Sequence, residues 1–106
     1  MQRTHLGEFE ELVLLIVGAL KEEAYSMAIR TELSRTADRK PSIGALHAAL
    51  NRLEDKGFIS SYEGGATSER GGRRKRFYEI TVAGKEVLKN SYELRSSWYK
   101  LIPGLS

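Results

Sequence analysis

Five cationic side chains, Arg70, Arg73, Arg74, Lys75 and Arg76, fall within seven positions of one another. Glycines crowd the same stretch (Gly64, Gly65, Gly71 and Gly72). A dense basic group at a pliant hairpin tip suits phosphate. Each cation that neutralises a nucleic-acid phosphate releases counterions, and affinity gained in this way falls as salt rises. A solvated hairpin kept soluble by its charge is the plain alternative. Strand alternation lets only about half of residues 73–76 face one side. The glycines do not make a nucleotide loop, because no Gly-x-x-x-x-Gly-Lys-Ser/Thr occurs and a strand follows rather than a helix. Catalysis has little to build on. His5 and His47 lie on different segments, there is no cysteine, and no His-x-x-x-His pair appears. No catalytic residue, metal site, cofactor or enzymatic activity is therefore expected. Glu10 and Glu11, like Glu22 and Glu23, read as solvated charge.

Elements must position those cations. Phe58–Glu63 and Arg73–Ile80 read as two strands of an antiparallel hairpin, too small to stand unless packed on helices. Upstream, Phe9, Leu12, Val13, Ile16 and Leu20 recur at helical spacing, with Glu8, Glu10 and Glu11 in a first turn where the helix dipole favours acid. Leu14, Leu15 and Val17 make this helix apolar nearly all round, as befits either a subunit interface or a helix surrounded by its own chain. Ser26 is placed to cap a second helix to about Ala37, with Ile29 and Leu33 inward. After Pro41, Ser42 is placed to cap a third helix from about Ile43 to Lys56, which Gly57 stops. Ile43, Leu46, Ala49, Leu50 and Leu53 form its buried stripe.

The opposite face of that third helix carries Gly44, His47, Ala48, Asn51 and Arg52. Small residues let a helix approach a major groove closely, and asparagine suits adenine through its paired donor and acceptor. With Ser42 these are the candidates for base or backbone contact. Tyr25 and Ser26 could touch the backbone, or Tyr25 could simply pack. Finally, Thr81 is placed to cap a helix to about Ile102. In it Val87, Ser91, Leu94, Trp98 and Leu101 follow the 4-3-4-3 rhythm of helices that pair. Together with Leu15 they are the candidates for a dimer contact or a ligand slot.

With 106 residues, one small core must suffice. Hydrophobic residues at 41% beside 29% charged ones argue against wholesale disorder. The net charge of +3 is unevenly spread. Residues 1–57 hold 8 Lys/Arg against 9 Asp/Glu, whereas residues 58–106 hold 9 against 5. Such asymmetry speaks of an anionic partner rather than of fold. The longest apolar run, Leu12–Leu20, is too short to span a bilayer. No cationic leader with a small-residue cleavage site precedes it, so no membrane partner is expected and a cytoplasmic protein is. Three helices, a hairpin and a terminal helix make a mainly α fold with a two-stranded β wing. This is the winged helix-turn-helix layout, with residues 1–81 as its body and 82–106 as a terminal dimerisation helix, all one continuous small domain.

The assembled residues resemble the PadR family of bacterial transcriptional regulators. The resemblance rests on Leu12-Val-Leu-Leu-Ile-Val-Gly-Ala-Leu20, on Ser42-Ile-Gly-Ala-Leu-His-Ala-Ala-Leu-Asn-Arg-Leu-Glu-Asp-Lys-Gly57, and on Gly72-Arg-Arg-Lys-Arg-Phe-Tyr-Glu-Ile-Thr-Val-Ala-Gly84. It implies a homodimeric, sequence-specific regulator of double-stranded DNA, a repressor, and the two-fold symmetry of such a dimer predicts an inverted-repeat operator. The chain's single terminal helix resembles that of the compact members, some of which bind flat aromatic molecules between their subunits, so a planar aromatic effector is a candidate partner. Two positions depart from the family: His47 stands where an aromatic Tyr is usual, and Ala48 where Pro is common. Base preferences do not carry over there. The competing class is a winged-helix protein-interaction module that never meets DNA.

Overall fold

The computed structural model describes residues 6–64 and 75–105. Four α-helices and a two-stranded antiparallel sheet follow one another in the expected order among them: α1 (Glu8–Leu20), α2 (Ser26–Ala37), α3 (Ile43–Asp55), β1 (Ile59–Gly64), β2 (Lys75–Ile80) and α4 (Val82–Tyr99). A single 3₁₀ turn, Lys21–Glu23, links α1 to α2. The loop cations Arg70, Arg73 and Arg74 lie outside the described residues.

α1 runs through the middle and packs against α2, α3, α4 and β2. Val13, Leu14 and Val17 are buried in the core with Ile29, Leu33, Leu46, Leu50 and Leu53. The apolar girth of α1 is thus used largely by its own chain, although Leu15 remains 47% exposed.

α2 starts differently from expectation. Ser26 does not cap it: the N-cap position is Tyr25, in extended conformation and without a side-chain cap bond. The cause is the sheet. Tyr25 forms an isolated antiparallel bridge with Phe77, and the Tyr78 N–H donates to Ala24 O at 2.8 Å. Pairing with β2 keeps Tyr25 extended, so helical geometry begins only at Ser26.

α3 is capped as expected, with Ser42 Oγ accepting from the Ala45 N–H at 3.0 Å. Ile43, expected in the buried stripe, is 39% exposed, because the first residue of the helix precedes its contact with the core. At the other end Gly57 takes φ +82°, its N–H donates to Glu54 O, and the Phe58 N–H donates to Leu53 O. This paired arrangement is a Schellman motif, which satisfies carbonyls the helix end would otherwise orphan.

The hairpin pairs Ile59 with Ile80 through Gly64 with Lys75. At its exit Thr81 Oγ1 accepts from the Gly84 N–H at 3.0 Å and donates to Gly57 O at 2.7 Å, while the Thr81 N–H donates to Phe58 O. α4 closes at Tyr99 rather than Ile102. The bonds of Leu101 to Trp98 O and of Ile102 to Tyr99 O tighten into turns ahead of Pro103, which has no N–H to continue a helix.

Gly84 is required at the start of α4. A Cβ there would lie 2.3 Å from Phe58 O and 2.8 Å from Ile80 Cγ1. On an open helix surface Gly→Ala stabilises by about 1 kcal/mol. Gly84→Ala reverses the sign and lowers stability by roughly 3 kcal/mol, since the obstacle is backbone; the urea midpoint reads it.

Candidate nucleic-acid interface

Ser42, Gly44, His47, Ala48 and Asn51 are all exposed along one side of α3. A Cβ at Gly44 would meet nothing within 4 Å, so the fold itself does not demand glycine there. The ridge is low because its side chains are small.

Beside it lies a concavity of about 660 Å³ that brings together Tyr25, Ser26, His47, Asn51, Lys75 and Arg76. Three elements supply these residues: the start of α2, the middle of α3 and the first residues of β2. Ser26 Oγ and His47 Nε2 are 3.0 Å apart. The Tyr25 ring meets Phe77 edge-on at 5.5 Å, Phe77 stacks on Tyr62 at 5.7 Å, and Lys75 Nζ lies 4.1 Å from the Tyr25 centroid. Tyr25 therefore does pack, and in packing it ties the wing root to α2 and seats Lys75 beside α3. A cation over an aromatic face is attracted by the ring quadrupole.

Arg76 is held from the other side. Its Nη1 donates to Ser61 Oγ at 2.7 Å, and Ser61 donates to Glu54 Oε2 at 2.8 Å. Burial pushes the Tyr78 hydroxyl above its ordinary value and Glu54 adds to this, while the Arg76 charge pulls it back. Tyr78 is thus neutral at physiological pH and able to donate.

Arg52 is placed away from the concavity. Its guanidinium pairs with Glu10, which also accepts from Lys56 Nζ at 2.9 Å. Glu10 is 7% exposed, so its reading as solvated charge is corrected: it is a carboxylate of α1 that clamps the solvent-side flank of α3. Burial works to raise its pKa, but the hydrogen bonds and charges of Lys56 and Arg52 outweigh this and hold it below the ordinary value. Glu11 is likewise engaged, accepting from Ser91 Oγ at 3.0 Å and from Arg95 Nη2 at 3.1 Å.

The 4-3-4-3 seam of α4 consequently divides. Val87 packs on the core and Ser91 bonds to α1, whereas Leu94, Trp98 and Leu101 are exposed, Trp98 at 64%. Among the described residues no group of three or more His, Cys, Asp or Glu could hold a metal, and no helix is long and apolar enough to cross a membrane.

Comparison with known proteins agrees with this architecture. The profile of the transcriptional regulator PadR-like family matches residues 13–90, and the chain belongs to that family. A PadR family transcription regulator from hypervirulent Clostridium difficile is similar at a TM-score of 0.76 and 26% identity, covering 90% of this chain and 94% of that one. A PadR-like transcription factor from Bacteroides fragilis reaches 0.66 at 27% identity over 88% and 82% of the two chains. A PadR-like transcriptional regulator from Bacillus cereus reaches 0.66 at 26% identity over 84% of each. No curated protein sequence matches.

The Glu10 clamp has a pH signature. A carboxylate with a depressed folded pKa contributes stability that is full above its unfolded value, here about 4.5, and is lost as pH falls through the folded value. Glu10→Gln should cost about 1–2 kcal/mol at neutral pH, discounted for two partly exposed partners. The difference between wild type and Glu10→Gln should shrink on acidification below pH 4.5 in urea titrations; a difference independent of pH would remove the clamp.

Proposed function

We propose that this chain is a DNA-binding transcriptional regulator of the cytoplasm, acting as a homodimer and as a repressor. Each subunit lays α3 in a major groove and grips flanking phosphate with the wing. The observation that carries the reading is the meeting of Ser26, His47, Asn51, Lys75 and Arg76 around one concavity beside a low, exposed ridge. Helix-turn-helix proteins read base edges from such a helix and take phosphate from the elements around it. Two-fold symmetry then calls for an inverted repeat with half-sites about one helical turn apart or slightly more.

In this division residues 1–81 form the DNA-binding body and 82–106 the dimerisation arm. Leu94, Trp98 and Leu101 on the arm, and Leu15 on α1, are exposed apolar groups suited to a subunit contact. A flat aromatic effector between two such arms, near Trp98, would regulate only by favouring one spacing of the reading heads over another.

Two measurements test the reading. Replacing Arg73, Arg74 and Arg76 with Ala should flatten the slope of log affinity against log salt by roughly 1 for each phosphate no longer neutralised. Asn51→Ala should instead cost about 1–3 kcal/mol on the selected site and little on random duplex. A protein-interaction module would show no salt-dependent duplex binding at all. For the arm, Trp98→Ala should weaken the dimer roughly 30-fold in sedimentation, and an unchanged mass would sink this interface.

A further inference from the structure

Ser26 is a helix-opening serine whose hydroxyl does not serve its own helix. A serine at the cap position turns its oxygen back onto nearby backbone N–H groups. Here Tyr25 holds the cap position without a side-chain bond, and Ser26 Oγ reaches across to α3, 3.0 Å from His47 Nε2. His47 is exposed on the ridge one helical turn before Asn51, and both line the same concavity as Ser26.

The two nitrogens of an imidazole are not independent: the partner of one sets the character of the other. When Nε2 carries the proton it donates to Ser26, and Nδ1 becomes an acceptor for the exocyclic amine of adenine or cytosine. When Ser26 donates to Nε2, Nδ1–H becomes a donor for guanine O6 and N7 or thymine O4. Other charged groups line the concavity, namely Glu54 of α3 and Lys75 and Arg76 of β2. Each has a different engagement: Glu54 with Ser61, Arg76 with Ser61, and Lys75 with the Tyr25 ring. The ring is oriented by a neutral hydroxyl rather than by a charge.

We propose that Ser26 is a positioning residue for base reading, holding the His47 imidazole so that Nδ1 is presented to a base edge. The inference rests on the DNA-binding reading above and deepens it by naming the pair that chooses one base. Ser26 need touch no base itself.

The test is selection of bound duplexes from a random library by wild type, His47→Ala, Ser26→Ala, Ser26→Thr and the Ser26→Ala/His47→Ala double variant. His47→Ala should lose preference at one base pair per half-site. Ser26→Ala should lose about fivefold discrimination at that same base pair, the size of one ordinary hydrogen bond. Its other positions and its salt slope should be unchanged. Ser26→Thr, which keeps the hydroxyl, should retain the preference, and the double variant should be no worse than His47→Ala. A Ser26→Ala loss that is uniform over all duplexes, falls at another base pair, or adds to that of His47→Ala overturns the proposal. A wild-type protein that selects no sequence sinks the DNA-binding reading and this inference with it. Selection by wild type that Ser26→Ala leaves untouched overturns this inference alone.

Discussion

The carbonyl oxygen of Phe58 occupies the space that any side chain on residue 84 would need. Much of the architecture depends on that close approach. Phe58 follows the Schellman stop of α3, and its N–H closes that stop while its carbonyl receives the Thr81 N–H. Thr81 in turn bonds to Gly57 O and caps α4. The end of α3, the base of the hairpin and the beginning of α4 are thereby joined through backbone groups and the Thr81 hydroxyl. The helix proposed to enter a groove and the helix proposed to meet another subunit thus share one corner. Hydrogen bonds among neutral groups are not screened by salt as exposed ion pairs are, so the corner keeps its geometry where surface electrostatics weakens.

α1 reinforces that corner from its other side. Glu10 accepts from Arg52 and Lys56 of α3, and its neighbour Glu11 accepts from Ser91 and Arg95 of α4. Consecutive residues on a helix point about 100° apart, which is what lets two adjacent carboxylates reach two different helices. The apolar stripe of Val13, Leu14 and Val17 supplies the burial. The two acids add direction, since apolar contact alone would tolerate some rotation of α3 or α4 against α1. Burying Glu10 is tolerable because it has two cationic donors, and either one alone would leave much of its desolvation uncompensated.

Where local chemistry decides, the sequence was legible. Ser42 and Thr81 cap the helices they precede, Gly57 stops α3 with a positive φ, and the hairpin pairs in the expected sense. Where a distant partner decides, it was not. Ser26 has the residue type of a cap, yet the pairing of Tyr25 with Phe77 shifts the helix start and frees its hydroxyl for His47. Glu10 and Glu11 satisfy the preference for acid in a first turn, which conceals that both are bound to other helices. Val87 and Ser91 fit the rhythm of a pairing helix, but periodicity identifies a face and is silent about whether its own chain covers it. Of the site residues, the α3 ridge was readable from its small and polar types. The seating of Lys75 on Tyr25 was hidden, because nothing in sequence spacing joins residue 25 to residue 75.

On the proposed DNA-binding reading, the distribution of engaged groups separates holding from reading. Arg52, near the end of α3, and Lys56, just past it, both pair with Glu10 of α1. Glu54 places an acid at the same end of α3, where it accepts from Ser61, which in turn accepts from Arg76. A phosphate approaching that end meets a carboxylate, whereas one approaching Lys75 meets an ammonium backed by an aromatic face. On the proposed DNA face, the phosphate backbone is therefore steered toward the wing root and away from the end of α3. That leaves the small and polar residues of the ridge, Gly44, His47, Ala48 and Asn51, to meet bases. Phosphate contacts fix register and base-edge contacts choose sequence. On the proposed reading these two tasks fall to separate elements, and Arg52, the one Lys or Arg of α3, is occupied by Glu10.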